Sequence, residues 1–226
     1  LLDAEGDLIT PPMFFYTAQS QSGDQGKVET GFTGVGSTTN RLFLDVPIDF
    51  WAGPYIERLY DAGWTTGITT DPPLYAPFRS TTRAEIAVFF VRVLGFDLPE
   101  ASGTIFGDVS DDYWAASAIE KLYAEGLTKG CDDSPELLYC PNKTTSRAEM
   151  AVFLARVLYG NDAQLDPPTG IFNDVPTSHW AAAEIEQLYR DGITAGCGTA
   201  PLRFCPDGST TRAEIAAFLV RTFNLP

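Results

Sequence analysis

Apolar positions along the chain fall into two helical rhythms separated by a long loop, and the whole pattern occurs three times. In the first copy Trp51, Tyr55, Leu59 and Tyr60 recur at helical spacing and predict a helix over about 51–61. Pro54 falls in its first turn, where a missing N–H is tolerated. Gly63, Gly126 and Gly192 follow the three first helices, where a left-handed cap is expected. The second rhythm is more continuously apolar. Ile86, Phe89, Phe90 and Val93 form a stripe, matched by Met150, Phe153, Leu154 and Val157, and then by Ile215, Phe218 and Leu219. Each second helix opens on Thr82-Arg83-Ala84-Glu85, Ser146-Arg147-Ala148-Glu149 or Thr211-Arg212-Ala213-Glu214. The hydroxyl followed three residues later by Glu is a capping box, in which each residue satisfies an orphan backbone N–H of the other.

Other landmarks recur in register. Phe43-Leu44-Asp45-Val46, Phe106-Gly107-Asp108-Val109 and Phe172-Asn173-Asp174-Val175 open the units, and a Trp follows each Phe at the same distance: Trp51, Trp114 and Trp180. A second glycine, Gly67, Gly130 or Gly196, begins each loop, which ends at Ala76-Pro77, Cys140-Pro141 or Cys205-Pro206. The chain therefore divides into an N-terminal arm (1–40) and three units (41–104, 105–170 and 171–226). Two-helix units of this size have thin cores and stabilise one another by packing side by side.

The arm lacks the repeat. Met13 to Thr17 and the alternating Val28, Thr30 and Phe32 read as two strands around a Ser22–Gly26 turn, a β-hairpin that needs a neighbour to be stable. That neighbour is the repeat body, an upstream domain or another subunit. Self-association through residues 1–40 would follow if the arm adds a strand to a second copy. The start at Leu1-Leu2-Asp3, with no Met and no apolar signal core, reads as a processed or trimmed product.

Charge narrows the partners. A net charge of −15 disfavours nucleic acid, whose phosphates need a basic stripe. An anionic polymer could be held only in local cationic pockets. No apolar run is long enough to span a membrane. The four cysteines occupy matching places in the second and third loops. They read as two local disulfides, Cys131–Cys140 and Cys197–Cys205, each worth roughly 2 to 3 kcal/mol in the chain-entropy account. Such bonds place the chain outside the cytoplasm. Metal binding is the competing reading, without a CxxC spacing or a partnering His to support it. In the first loop Ile68 and Ala76 stand in for the cysteines, so packing alone must hold it.

Candidate chemistry is confined to the repeated residues. Arg83, Arg147 and Arg212 occupy the first helical position, where the helix dipole disfavours a cation by a few tenths of a kcal/mol. Two compatible readings offset that cost: a salt bridge to Asp45, Asp108 or Asp174, or an anion site made by the guanidinium and the helix N-terminus together. Trp51, Trp114 and Trp180 read either as core or as platforms for a sugar ring. Catalytic motifs such as GxSxG, HExxH and the P-loop are absent. The one histidine, His179, stands where the other units carry Phe50 and Tyr113. The acidic pairs Asp111-Asp112 and Asp132-Asp133 lack EF-hand spacing and read as solvated surface. No enzyme activity, cofactor or metal is expected.

From residue 43 to about 223 these features resemble the S-layer homology (SLH) domain: F-x-D-V, the following Trp, the Leu-Tyr helix, the paired glycines and the TRAE phrase. The resemblance implies a mainly α fold of three two-helix repeats with pseudo-threefold symmetry, one helix from each repeat forming a central three-helix bundle and grooves lying between neighbours. It implies non-covalent anchoring at the bacterial cell surface, through a cell-wall polysaccharide often capped by a pyruvylated sugar. An alternative is a structural subunit of an S-layer or filament. By the same resemblance Arg83, Arg147 and Arg212 would hold a carboxylate, and Asp45, Asp108 and Asp174 would bond sugar hydroxyls or orient the arginines. Trp51, Trp114 and Trp180 would wall the grooves, with Gly67, Gly130 and Gly196 allowing close backbone approach. Ser146 keeps the cap, the loop cysteines depart from the common pattern, and Trp64 in place of Ile predicts a differently shaped first loop.

Overall fold

The opening Phe of each unit anchors its loop. Phe43, Phe106 and Phe172 are buried. Each meets the aromatic ring at the far end of its loop, Tyr75, Tyr139 or Phe204, at 5.4 to 5.5 Å between centroids. Each also lies edge-on to a tyrosine of the first helix. These contacts come from a computed structural model that describes residues 42–225. The hairpin expected over residues 1–40 lies outside the described residues.

Among the described residues there are six helices and two short two-stranded sheets, a mainly α fold as the periodicity predicts. In the first unit α1 spans Gly53–Asp61, the antiparallel pair β1 (Thr69–Thr70) and β2 (Pro73–Leu74) shapes the loop, and α2 spans Arg83–Val93. The second unit has α3 (Ala116–Ala124) and α4 (Arg147–Tyr159), its loop closed by a single bridge between Asp132 and Leu138. The third has α5 (Ala182–Arg190), β3 (Gly198–Thr199) paired with β4 (Leu202–Arg203), and α6 (Arg212–Thr222).

The first helix uses only part of the predicted face: Leu59 is buried as expected. Trp51 and Tyr60 are exposed and Tyr55 half-buried, while Ala52, Ile56 and Leu59 point inward. The compact aliphatic positions pack, and the large rings stack along the flank, Trp51 on Tyr55 at 6.4 Å. The second helices behave differently again. In α4 every residue from Arg147 to Ala155 is buried except Glu149. A helix apolar on nearly every side is an interior helix. Here the cause is packing across units: α2 lies on α3, α4 on α5, and α6 returns to α1.

That return closes a ring of backbone hydrogen bonds. Thr145 N–H donates to Thr81 O, Thr210 N–H to Thr145 O and Thr81 N–H to Thr210 O, at 2.8 to 3.0 Å. All three threonines are fully buried. The three capping boxes form as predicted, each with both reciprocal bonds.

Candidate functional site

Each loop is held by its Asp. Asp45 accepts Tyr75 N–H and Ala76 N–H on its two oxygens, at 2.8 and 2.6 Å. Asp108 does the same for Tyr139 and Cys140, and Asp174 for Phe204 and Cys205. The Asp–Arg salt bridge therefore does not form: these carboxylates are engaged 30 to 32 residues away within their own unit. The second glycines serve the same loop. Gly67, Gly130 and Gly196 have φ of 82° to 87°, and a Cβ there would strike the carbonyl of Leu74, Leu138 or Arg203. The close approach they permit in this structure is to their own hairpin. The cysteines are paired as expected, Cys131 with Cys140 and Cys197 with Cys205, each pair 6.0 Å between Cα atoms. Asp174 lies beside the latter sulfurs, but their bond leaves no thiolate for a metal. The first loop makes the same closing bond without a disulfide: Ile68 N–H reaches Leu74 O at 2.7 Å, as Cys131 reaches Leu138 and Cys197 reaches Arg203. Trp64 does not reshape it. Trp64 packs edge-on against Phe223, and Thr65 Oγ1 accepts Gly67 N–H as Thr128 and Thr194 do for their glycines.

The arginines clamp one unit to the next. Arg83 Nε donates to Tyr139 O at 2.8 Å, Arg147 Nε to Phe204 O at 2.8 Å, and Arg212 Nε to Tyr75 O at 2.7 Å. Each guanidinium lies between two rings of the neighbouring unit: Arg83 between Tyr139 and Phe153, Arg147 between Phe204 and Phe218, and Arg212 between Tyr75 and Phe89. The phenols answer, Tyr139 Oη donating to Arg83 O and Tyr75 Oη to Arg212 O. Burial pushes the Tyr75 phenol up to about 12, so it remains the donor. Burial also lowers the guanidinium pKa of Arg147 and Arg212, yet a guanidinium stays charged in a protein. All three arginines are buried.

The helix N-termini are closed as well. The first two N–H groups of α2 donate to Lys143 O and Pro141 O, those of α4 to Gly208 O and Pro206 O, and those of α6 to Arg79 O and Pro77 O. The third N–H of each goes to its cap. The anion site expected from a guanidinium and a helix end acting together is thus ruled out on the helix side.

What remains open is a groove beside the Arg83 clamp. Along α4 it has a volume of about 190 Å³ and is lined by Arg83, Lys129, Gly130, Lys143, Glu149, Arg156 and Trp180, among others. Trp51, Trp114 and Trp180 are 54 to 62% exposed, which settles the choice against core. Arg83 Nη1 points toward Glu149 at 3.6 Å, and Lys143 Nζ meets the same carboxylate at 3.1 Å. Burial pulls the Glu149 carboxyl upward, but Ser146 N–H, Lys143 and Arg83 outweigh it and hold the group below the usual range. Lys129 and Lys143 were not legible as candidates, because a search for recurrence overlooks residues that do not recur; Arg156 recurs as Arg92 and Arg221 but lies inside the second helix, where it reads as part of the helix surface. Comparing the charge at equivalent positions of the three loops would have found the two lysines.

Three helix–loop–helix units clamped in a ring, with a groove along α4 lined by Trp180, define the class of protein. The family described as "S-layer homology domain" matches residues 105–151 and 171–216, and the chain belongs to it. The first unit falls outside the matched residues but makes the same buried contacts and clamps. The chain is similar to an S-layer protein of Bacillus thuringiensis subsp. finitimus, 28% identical over 187 residues, or 82% of this chain and 22% of that protein. It is also similar to the cellulosome-anchoring protein of Acetivibrio thermocellus, 32% identical over 197 residues, 83% of this chain and 40% of that protein. An amylopullulanase of Thermoanaerobacterium thermosulfurigenes is 34% identical over 120 residues, only 6% of its own length. The chain thus spans well under half of each of these relatives.

Proposed function

We propose that this chain is a non-catalytic module that holds its protein at the extracellular cell surface, by binding an anionic cell-wall polysaccharide in the grooves between its repeats. One observation carries the reading. In a chain with 30 acidic and 15 basic residues, four cations and an exposed tryptophan meet a single carboxylate in one groove. A negatively charged surface excludes polyanions at long range, so a local cationic pocket is where a charged sugar is accepted. The tryptophan face supplies the stacking surface a pyranose ring uses. A pyruvylated terminal sugar, which the family resemblance implies, would present a carboxylate of suitable size. The names of the relatives agree: one anchors cellulosomes and another is an S-layer protein. The enzyme among them shares too little of its length with this chain for its catalysis to carry over.

The test is co-sedimentation with purified wall sacculi. The full chain is expected to pellet with sacculi, and a variant with Trp51, Trp114 and Trp180 all changed to Ala is expected to stay in solution while keeping its fold. These tryptophans are suitable probes because they are exposed, whereas changing the buried arginines would test stability instead. Equal pelleting of the two proteins would overturn the reading.

A further inference from the structure

The three repeats share a backbone plan, but not the charge at the positions that line the α4 groove. Around Glu149 the groove along α4 carries Lys129, Lys143 and Arg156. At the equivalent positions around Glu85, the first repeat has Thr66, Arg79 and Arg92. Around Glu214 the third repeat has Ala195, Gly208 and Arg221.

The cations also differ in what already holds them. Arg79 is paired to Glu85 at 2.5 Å. Arg147 is paired to Glu214 at 2.6 Å, while Arg221 donates to Ile193 O and Tyr55 Oη and lies over the Tyr55 ring. In the α4 groove one carboxylate is divided between Lys143 and the more distant Arg83. Lys129 is exposed and has no ion-pair partner among the described residues. The α4 groove gathers the most cations around its one carboxylate, Arg83, Lys129, Lys143 and Arg156, against Arg212, Arg79 and Arg92 around Glu85 and Arg147 and Arg221 around Glu214.

We propose that the groove along α4 is the principal acid-sugar site of the chain, and that Lys129 and Lys143, rather than the three repeated arginines, supply the charge that the ligand's carboxylate meets. This rests on the polysaccharide-binding reading above. The repeated arginines are committed to carbonyls and rings of the neighbouring unit, and only the outer edge of Arg83 faces the groove. A lysine ammonium is a mobile point charge that can follow a carboxylate on a flexible sugar. Trp180 lines the same groove and is exposed, so the ring bearing that carboxylate would stack there.

The experiment uses the full chain and purified sacculi of the producing strain, with and without carbodiimide amidation of their carboxylates. Lys129→Ala combined with Lys143→Ser is expected to weaken binding at least tenfold. Arg92→Gln and Arg221→Gln, in the other two repeats, should each change it less than twofold. Amidated sacculi should bind no better than the lysine variant does. In protein labelled with 5-fluorotryptophan, solubilised wall polysaccharide should shift the Trp180 resonance and leave Trp51 and Trp114 in place. Equal losses from all three repeats, or wild-type binding that is unchanged in the lysine variant, would overturn the groove assignment while leaving polysaccharide binding standing. Full binding to amidated sacculi would overturn the carboxylate. No binding by the wild type would sink both. Both lysines are exposed, so the variant should fold normally, as its melting temperature will show.

Discussion

The first and second repeats have the same backbone plan and different surfaces. Both bury the opening Phe, seat the loop on an Asp and exchange an arginine clamp with a neighbour. Yet Leu44, Ile48 and Phe78, all more than half exposed, stand in the first repeat where the second has Gly107, Asp111 and Asn142. Phe78 and Phe50 meet edge-on at 5.1 Å, extending an aromatic run through Trp51 to Tyr55, whereas Tyr113 reaches Asn142 by a hydrogen bond. The second repeat adds a disulfide where the first has Ile68 and Ala76. The plan therefore resides in the contacts the repeats share, and the cross-link and the surface can change without disturbing it.

The comparison breaks most severely if a clamp is removed. Arg147→Ala leaves Phe204 O and the Glu214 carboxylate without their partner inside the protein, and is expected to cost about 3 to 5 kcal/mol in urea unfolding. A loss below about 1 kcal/mol would mean that the arginines are not what joins the repeats.

Asp45→Ala and Asp108→Ala probe the two loops directly. Each removes two charge-assisted bonds, worth roughly 1.5 to 3 kcal/mol apiece before relaxation. The loss should be larger at Asp45, because that loop has no disulfide to limit its freedom once released. Equal losses, measured by the same unfolding curves, would show that the disulfide contributes nothing to holding the loop. Replacing Cys131 and Cys140 by Ser should then cost roughly 2 to 3 kcal/mol. It should also raise hydrogen exchange in residues 131–140 without altering exchange in 68–76.

The smallest effect concerns pH. Glu186 accepts Thr169 N–H and Oγ1, Gly170 N–H, Ile171 N–H and the Arg190 guanidinium, fixing the entry to the third repeat. Burial would raise its pKa, but these donors outweigh that effect and hold it below the ordinary 4.5. A carboxyl depressed in the folded state stabilises the protein fully above its unfolded pKa, and that stabilisation is lost as pH falls through the lower folded value. The melting temperature should accordingly fall below about pH 4.5. Glu186→Gln should show a flatter acid limb from a lower plateau. An unchanged limb in the variant would assign acid sensitivity to other carboxylates.

Local rules made much of this fold legible. Capping boxes, glycine caps and the loop disulfides depend on residues a few positions apart, and each formed as the sequence implied. What the sequence hid were contacts between a side chain and a distant backbone. Arg83 meets a carbonyl 56 residues away, and no residue type announces that acceptor. The Asp–Arg pairing failed for the same reason, since backbone N–H groups proved the better partner for Asp45, Asp108 and Asp174. Helical spacing likewise could not say which side of α1 faces in, because aliphatic and aromatic positions both recur there. The candidate site was legible in part: the tryptophans recur, but the lysines beside Trp180 occur once.

The clamp between Arg212 and Tyr75 joins residues 137 positions apart and returns the last repeat to the first. An open stack of repeats can grow or shrink by one unit, because its ends are already exposed. Here the addition or removal of a single unit would separate two partners that complete each other, leaving a buried cation without its carbonyl on one side and a carbonyl without its cation on the other. Copy number is therefore a geometric invariant of this module: evolution can duplicate it as a triplet, but it cannot readily count by ones.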